Sequence, residues 1–117
     1  FGYGYGRNVF AHAVLPAYGV AVGGHSHSGY VDLALSGGVP ALLLWLAFAG
    51  LTLRRAIRHY LEQHSYAALL LFFIVMGFNG RMLLDSVWRD HYLQIHLFLV
   101  CALTVIIRFE KQDKVAA

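Results

Sequence analysis

Apolar positions along the chain fall into three long blocks separated by short polar stretches. The clearest covers residues 33–53, LALSGGVPALLLWLAFAGLTL, 21 residues without a charge. At 1.5 Å per residue a helix of that length covers about 31 Å, matching a hydrocarbon core of ~30 Å. Ser36, Gly37, Gly38 and Pro40 stand near its start, where a proline suits the first helical turn and small residues admit other backbone closely. The second block, residues 66–78, is apolar for 13 residues and extends to Leu84. The third, residues 92–109, contains His96 and ends beside Arg108, whose long side chain can snorkel to the interface. These blocks predict an all-α, polytopic integral membrane protein with about three transmembrane helices, over residues 33–53, 66–84 and 92–109. An N-terminal loop region, residues 1–32, precedes them.

Within that region residues 9–24 are apolar but interrupted by His12, Pro16, Gly19, Gly23 and Gly24. They read as a partly buried loop, because irregular backbone at membrane depth survives only when buried in protein or lining a wet cavity. FGYGYGRN at the start alternates glycines with aromatics. With no strand before it, it is a poor phosphate loop, and Tyr3 and Tyr5 suit a membrane interface better.

Composition agrees with the blocks: 59% hydrophobic and 13% charged residues, against roughly 25% charged in a soluble domain. This excludes a disordered tail and a soluble nucleic-acid-binding module. The net charge is +3, but the nine Lys and Arg are scattered among apolar runs, so no continuous basic stripe invites a nucleic acid. A lone cysteine, Cys101, rules out an internal disulfide. The chain starts at Phe1 without a charged segment ahead of a short apolar one, so it reads as part of a longer protein and not as a secretory signal.

Charge also gives sidedness. Arg54, Arg55 and Arg58 lie between the first two blocks, and Lys111 and Lys114 follow the third. By the positive-inside rule both connections are cytoplasmic. Residues 1–32 and the turn over residues 80–91 then share the opposite face, which brings the two chemically richest stretches to one compartment.

The first of these is GGHSHSGYVD. In an extended strand His25 and His27 point to one side, which leaves three readings open. They are metal ligands with His12 or Asp32 as a third, hydrogen-bonded structural rings, or a general base titrating near neutrality. In the second stretch Arg81, Asp85 and Arg89 stand four apart. On a helix they stack as an ion-pair ladder, which is either a salt-bridged cap or a diphosphate grip. Trp88 in this turn suits an interfacial anchor or a sugar platform.

The stretch HSHSGYVDLALSGGVPALLL resembles the large extracytoplasmic loop and following helix of the O-antigen ligase-like superfamily of membrane glycosyltransferases. The ligase pattern is a histidine followed by Asn, Ser or Gln, nine residues, glycine, two residues, then Gly, Thr or Tyr. His27, Ser28 and Gly38 fit it, while Ala41 stands at the last position. RMLLDSVWRDH is similar to the last extracytoplasmic turn of these enzymes, so the resemblance spans roughly residues 1–109 as a C-terminal portion of a longer chain. It implies transfer of a glycan from undecaprenyl pyrophosphate to the lipid A core at the periplasmic face of the bacterial inner membrane. It also implies metal-independent chemistry with no cofactor. In that scheme His27 is the catalytic base, and His25, Ser28, Arg81, Arg89 and Asp85 contact substrate. A polysaccharide polymerase or a protein O-oligosaccharyltransferase fits the same resemblance with another acceptor. A non-catalytic membrane protein holding metal on His12, His25 and His27 is the rival from a different class.

Overall fold

The computed structural model describes residues 2–3, 15, 26–85 and 91–116, and helix is the only regular secondary structure among them. Helix α1 is Gly29–Gln63, α2 is Tyr66–Leu84 and α3 is Tyr92–Ala116. All three are long and apolar enough to cross a membrane, and their most apolar windows are only 17%, 22% and 17% buried. So much outward-facing Leu, Phe and Val exceeds what a soluble domain exposes.

Helix α1 differs from the sequence expectation at both ends. It begins at Gly29, inside the predicted loop, and continues to Gln63 through the charged stretch expected to connect the first two spans. That stretch, RRAIRHYLEQ, consists largely of good helix formers, and its Arg58 and Glu62 pair at 2.7 Å one turn apart. The connection to α2 shrinks to His64 and Ser65.

α1 is also two helices joined at Gly38, which has φ 75° and ψ 180°, a backbone region essentially restricted to glycine. Pro40 therefore occupies the first turn after a break, where its missing N–H costs nothing. Across the break the Ser36 carbonyl has no regular donor, because Pro40 lacks an N–H. Tyr3 N–H donates to Leu35 O at 2.6 Å. Gly2 lies so close to the Ser36 carbonyl and Gly38 nitrogen that a side chain there has no room.

The described chain divides into two compact units, Phe1–Ala47 with Gly80–Asp90, and Phe48–Asn79 with His91–Ala117. In the second, each helix supplies two buried residues to one core: Ala49 and Ala56, Leu71 and Val75, Val100 and Leu103. Spacings of seven, four and three keep each pair on one helical face, and the two alanines let the α1 backbone approach its neighbours closely. α3 runs antiparallel to α2, since Ser65 meets Glu110 and Phe78 stacks on His96. Polar side chains within the apolar runs bond back one turn: Thr52 to Phe48 O, Asn79 to Val75 O and Thr104 to Val100 O. In lipid each such group must find a partner inside the protein.

Candidate active site

The candidate site lies in the first unit, where the start of α1 meets the end of α2. Ser28 is the N-cap of α1, its carbonyl accepting from Asp32 N–H at 3.0 Å. The first N–H groups of a helix and the last carbonyls of another are both without intrahelical partners, and here they satisfy each other. Gly29 N–H donates to Asp85 O at 3.0 Å, and Ser28 Oγ donates to Met82 O at 3.3 Å. Gly29 and Met82 are buried at this joint.

Because Ser28 Oγ is directed to α2, a neighbour takes over the local turn. Ser26 Oγ accepts from Ser28 N–H at 3.2 Å. It also lies 2.7 Å from Asp32 Oδ1 and 2.8 Å from Ser28 O, and its single proton goes to the carboxylate, the stronger acceptor. Asp32 sits in the first turn of α1, where the helix dipole favours an anion. Between the two serines His27 has φ 54° and an exposed side chain, a conformation that histidine enters more readily than most residues.

On the facing helix end Arg81 and Asp85 pair at 3.8 Å with both side chains about half exposed. Such a surface pair contributes only about 0–1 kcal/mol, so it leaves the guanidinium accessible. α2 ends at Leu84, so the predicted ladder is helical only through Arg81. Arg89, His25, His12 and Trp88 lie outside the described residues. Thus His27, Ser28, Arg81 and Asp85 are brought into one unit. No cluster of three potential metal ligands occurs among the described residues.

Sequence reading missed Ser26 and Asp32 as the scaffold of this turn. The signal was present in SHSGYVD: a serine two residues before an N-cap serine favours a hydroxyl turn, and an aspartate in the following turn marks a helix start. His96 of α3 is 3% exposed and stacks on Phe78 with ring centroids 4.1 Å apart.

The arrangement offers an exposed imidazole and a permanently charged planar cation suited to phosphate. Both stand on helix ends tied by backbone hydrogen bonds. No protein family, curated protein or solved structure matches the chain.

Proposed function

We propose that this chain belongs to a membrane glycosyltransferase of the O-antigen ligase-like kind, with α1, α2 and α3 crossing the bacterial inner membrane. The site faces the periplasm. In the reaction an acceptor hydroxyl, on the lipid A core or another glycan, attacks the anomeric carbon of the glycan on undecaprenyl pyrophosphate. The C–O bond to the pyrophosphate breaks as the new glycosidic bond forms, and the carrier leaves with the electron pair. His27 takes the hydroxyl proton, a contribution typically worth 10²–10⁴-fold. Pyrophosphate is a weak base that needs charge neutralisation more than a proton, and Arg81 and Arg89 supply it. Asp85 orients Arg81, while Ser28 and His25 contact the acceptor.

The observation that carries this reading is the pair of bonds from Ser28 Oγ to Met82 O and from Gly29 N–H to Asp85 O. They fasten the histidine motif to the arginine-bearing helix end. Outward apolar surface on all three helices supports the membrane setting, and Arg54, Arg55, Arg58 and Lys111 support the orientation.

The test uses the complete protein. His27→Ala is expected to abolish glycan transfer to the lipid A core while the protein still inserts, and normal transfer sinks the assignment. A free polymer or a glycoprotein as the wild-type product redirects the acceptor. Sidedness is read separately in a Cys101→Ala background. A cysteine at Ser86 should react with an impermeant maleimide from the periplasm and one at Glu62 should not.

A further inference from the structure

The second unit contains a site of different character. A cavity of about 110 Å³ is lined by Arg55 and His59 of α1 and by Arg108 and Lys111 of α3, with Leu71 of α2 among its apolar walls. This is well above the roughly 10–15 Å³ that a single water needs. The ion pairs among the described residues are Arg58–Glu62 and Arg81–Asp85, so Arg55, Arg108 and Lys111 form no ion pair with a described carboxylate, although Glu62 lies near enough to feel the charges of His59 and Lys111. His59 Nε2 is buried there without a hydrogen-bond partner, a polar atom that a bound acceptor would satisfy.

A neighbouring groove of about 500 Å³ shares Arg55, Leu71, Thr104 and Arg108 with the cavity. From these the groove runs about two turns along α1 and α3, past Phe48, Leu51, Val100, Cys101 and Val105. One end is cationic and the rest is apolar, with the volume of a typical pocket for a small apolar ligand, roughly 300–1,000 Å³.

We infer that this is a site for one anionic phospholipid of the cytoplasmic leaflet, its phosphate held by Arg55, His59, Arg108 and Lys111 and an acyl chain lying between α1 and α3. The inference rests on the reading that the helices cross a bilayer with Arg54, Arg55 and Arg58 on the cytoplasmic side. Basic pockets between helices on that face suit acidic headgroups. A soluble phosphate leaves the groove uncovered. A further apolar helix seated there has to bury Arg55 and Arg108 without a counter-charge.

The test is lipid retention by the purified full-length protein, measured by native mass spectrometry with phosphatidylglycerol or phosphatidylcholine supplied in detergent. Phosphatidylglycerol should be retained at least tenfold better. Arg55→Gln and Arg108→Gln should each reduce its retention about fivefold, whereas Arg54→Gln, an exposed neighbour outside the cavity, should not. Cys101→Trp, or Leu51→Trp on the facing helix, should block the groove and lower retention with all cations in place.

Equal retention of the two lipids overturns the site, as does an equal fall in Arg54→Gln, which marks diffuse surface charge. Competition by inorganic phosphate with no effect of either tryptophan identifies a soluble-anion site instead and also overturns it. So does a cross-link from Cys101 to another helix or a second copy in lipid-free protein. Carbonate extraction of the wild-type chain from membranes reports on the membrane reading itself, and release there removes both proposals. Loss of transferase activity in His27→Ala bears only on the first.

Discussion

Two His-Ser pairs precede two apolar helices, and they share a backbone but not a wiring. His27 and His64 both lie in the left-handed region, at φ 54° and 53°. Ser28 and Ser65 both cap, their carbonyls accepting from Asp32 N–H and Leu69 N–H. At Ser65 the hydroxyl serves its own helix: it accepts from Ala68 N–H at 3.2 Å and donates to Glu110 on α3. His64 closes α1 by donating its N–H to Tyr60 O at 2.8 Å, the left-handed helix stop that glycine usually provides. Everything there is explained by a two-residue turn. At Ser28 the hydroxyl reaches instead to α2, and Ser26 and Asp32 hold the turn in its place. A left-handed histidine is therefore no mark of function by itself. Both rings are exposed, so what distinguishes His27 is that a hydroxyl and a backbone N–H beside it both reach carbonyls at the end of another helix, whereas Ser65 reaches a side chain.

The largest expected difference is in activity. His27→Ala should lower glycan transfer by about 10²–10⁴-fold, the range of a lost general base. His64→Ala, with the same backbone penalty and no reacting group nearby, should stay within about twofold of wild type, as substitutions away from chemistry and core generally do. Equal losses at the two positions, in a transfer assay normalised to inserted protein, break the distinction. They return His27 to the role of a turn residue.

Stability should rank the serines in the opposite order. Ser65→Ala removes an N-cap, worth about 0.5–2 kcal/mol, and deprives Glu110 of its hydroxyl donor. Ser28→Ala loses one long bond to Met82 O, about 0.5–1.5 kcal/mol and nearer the lower figure. Amide exchange resolves the two. The first should speed exchange at Leu69 and its neighbours, and the second at Gly29 and Asp85. A larger loss at Ser28 means that the joint between helix ends holds the fold more firmly than the hairpin turn does.

Gly29 isolates that joint from helix propensity. Proline is welcome at the first position of a helix, so Gly29→Pro keeps α1 while deleting the N–H that reaches Asp85 O. A loss of about 1 kcal/mol is expected, with transfer falling if the joint positions His27. Gly29→Ala retains the donor and reports the steric cost of filling this buried position. If alanine is as damaging as proline, the hydrogen bond is not what matters there.

Much of this architecture was legible in the pattern, and the failures have specific causes. Helix α2, Tyr66–Leu84, is read directly from an apolar run, since a helix in lipid satisfies its own backbone. Arg54, Arg55 and Arg58 read in sequence as a connection because charge ends a span, yet charge does not end a helix, and α1 runs through them. Gly38 and Pro40 marked the beginning of a span in sequence. In the fold they mark a break inside α1, because Gly29–Gly37 had already formed a helix fixed by Ser28 and Asp32. The sidedness of the basic residues puts residues 1–32 and 80–91 in one compartment, and the start of α1 is bonded to the end of α2. That joint, donors at one helix start matched to acceptors at another's end, depends on backbone groups that every residue carries, and no side-chain pattern reveals it.

The smallest predicted effect tests the shared half of the comparison. Glycine adopts the left-handed conformation without the roughly 1–2 kcal/mol that a Cβ costs, and gives back about 0.4–1 kcal/mol through greater freedom in the unfolded chain. His64→Gly and His27→Gly should therefore each raise stability by about 0.5–1 kcal/mol, seen as a higher Tm in micelles. The pair should then part company in the transfer assay. His64→Gly gains stability with activity intact, because the helix stop there is made by the backbone. His27→Gly gains the same stability and loses transfer. If His27→Gly stays active, the exposed imidazole does nothing there, and His27 and His64 are two instances of one turn.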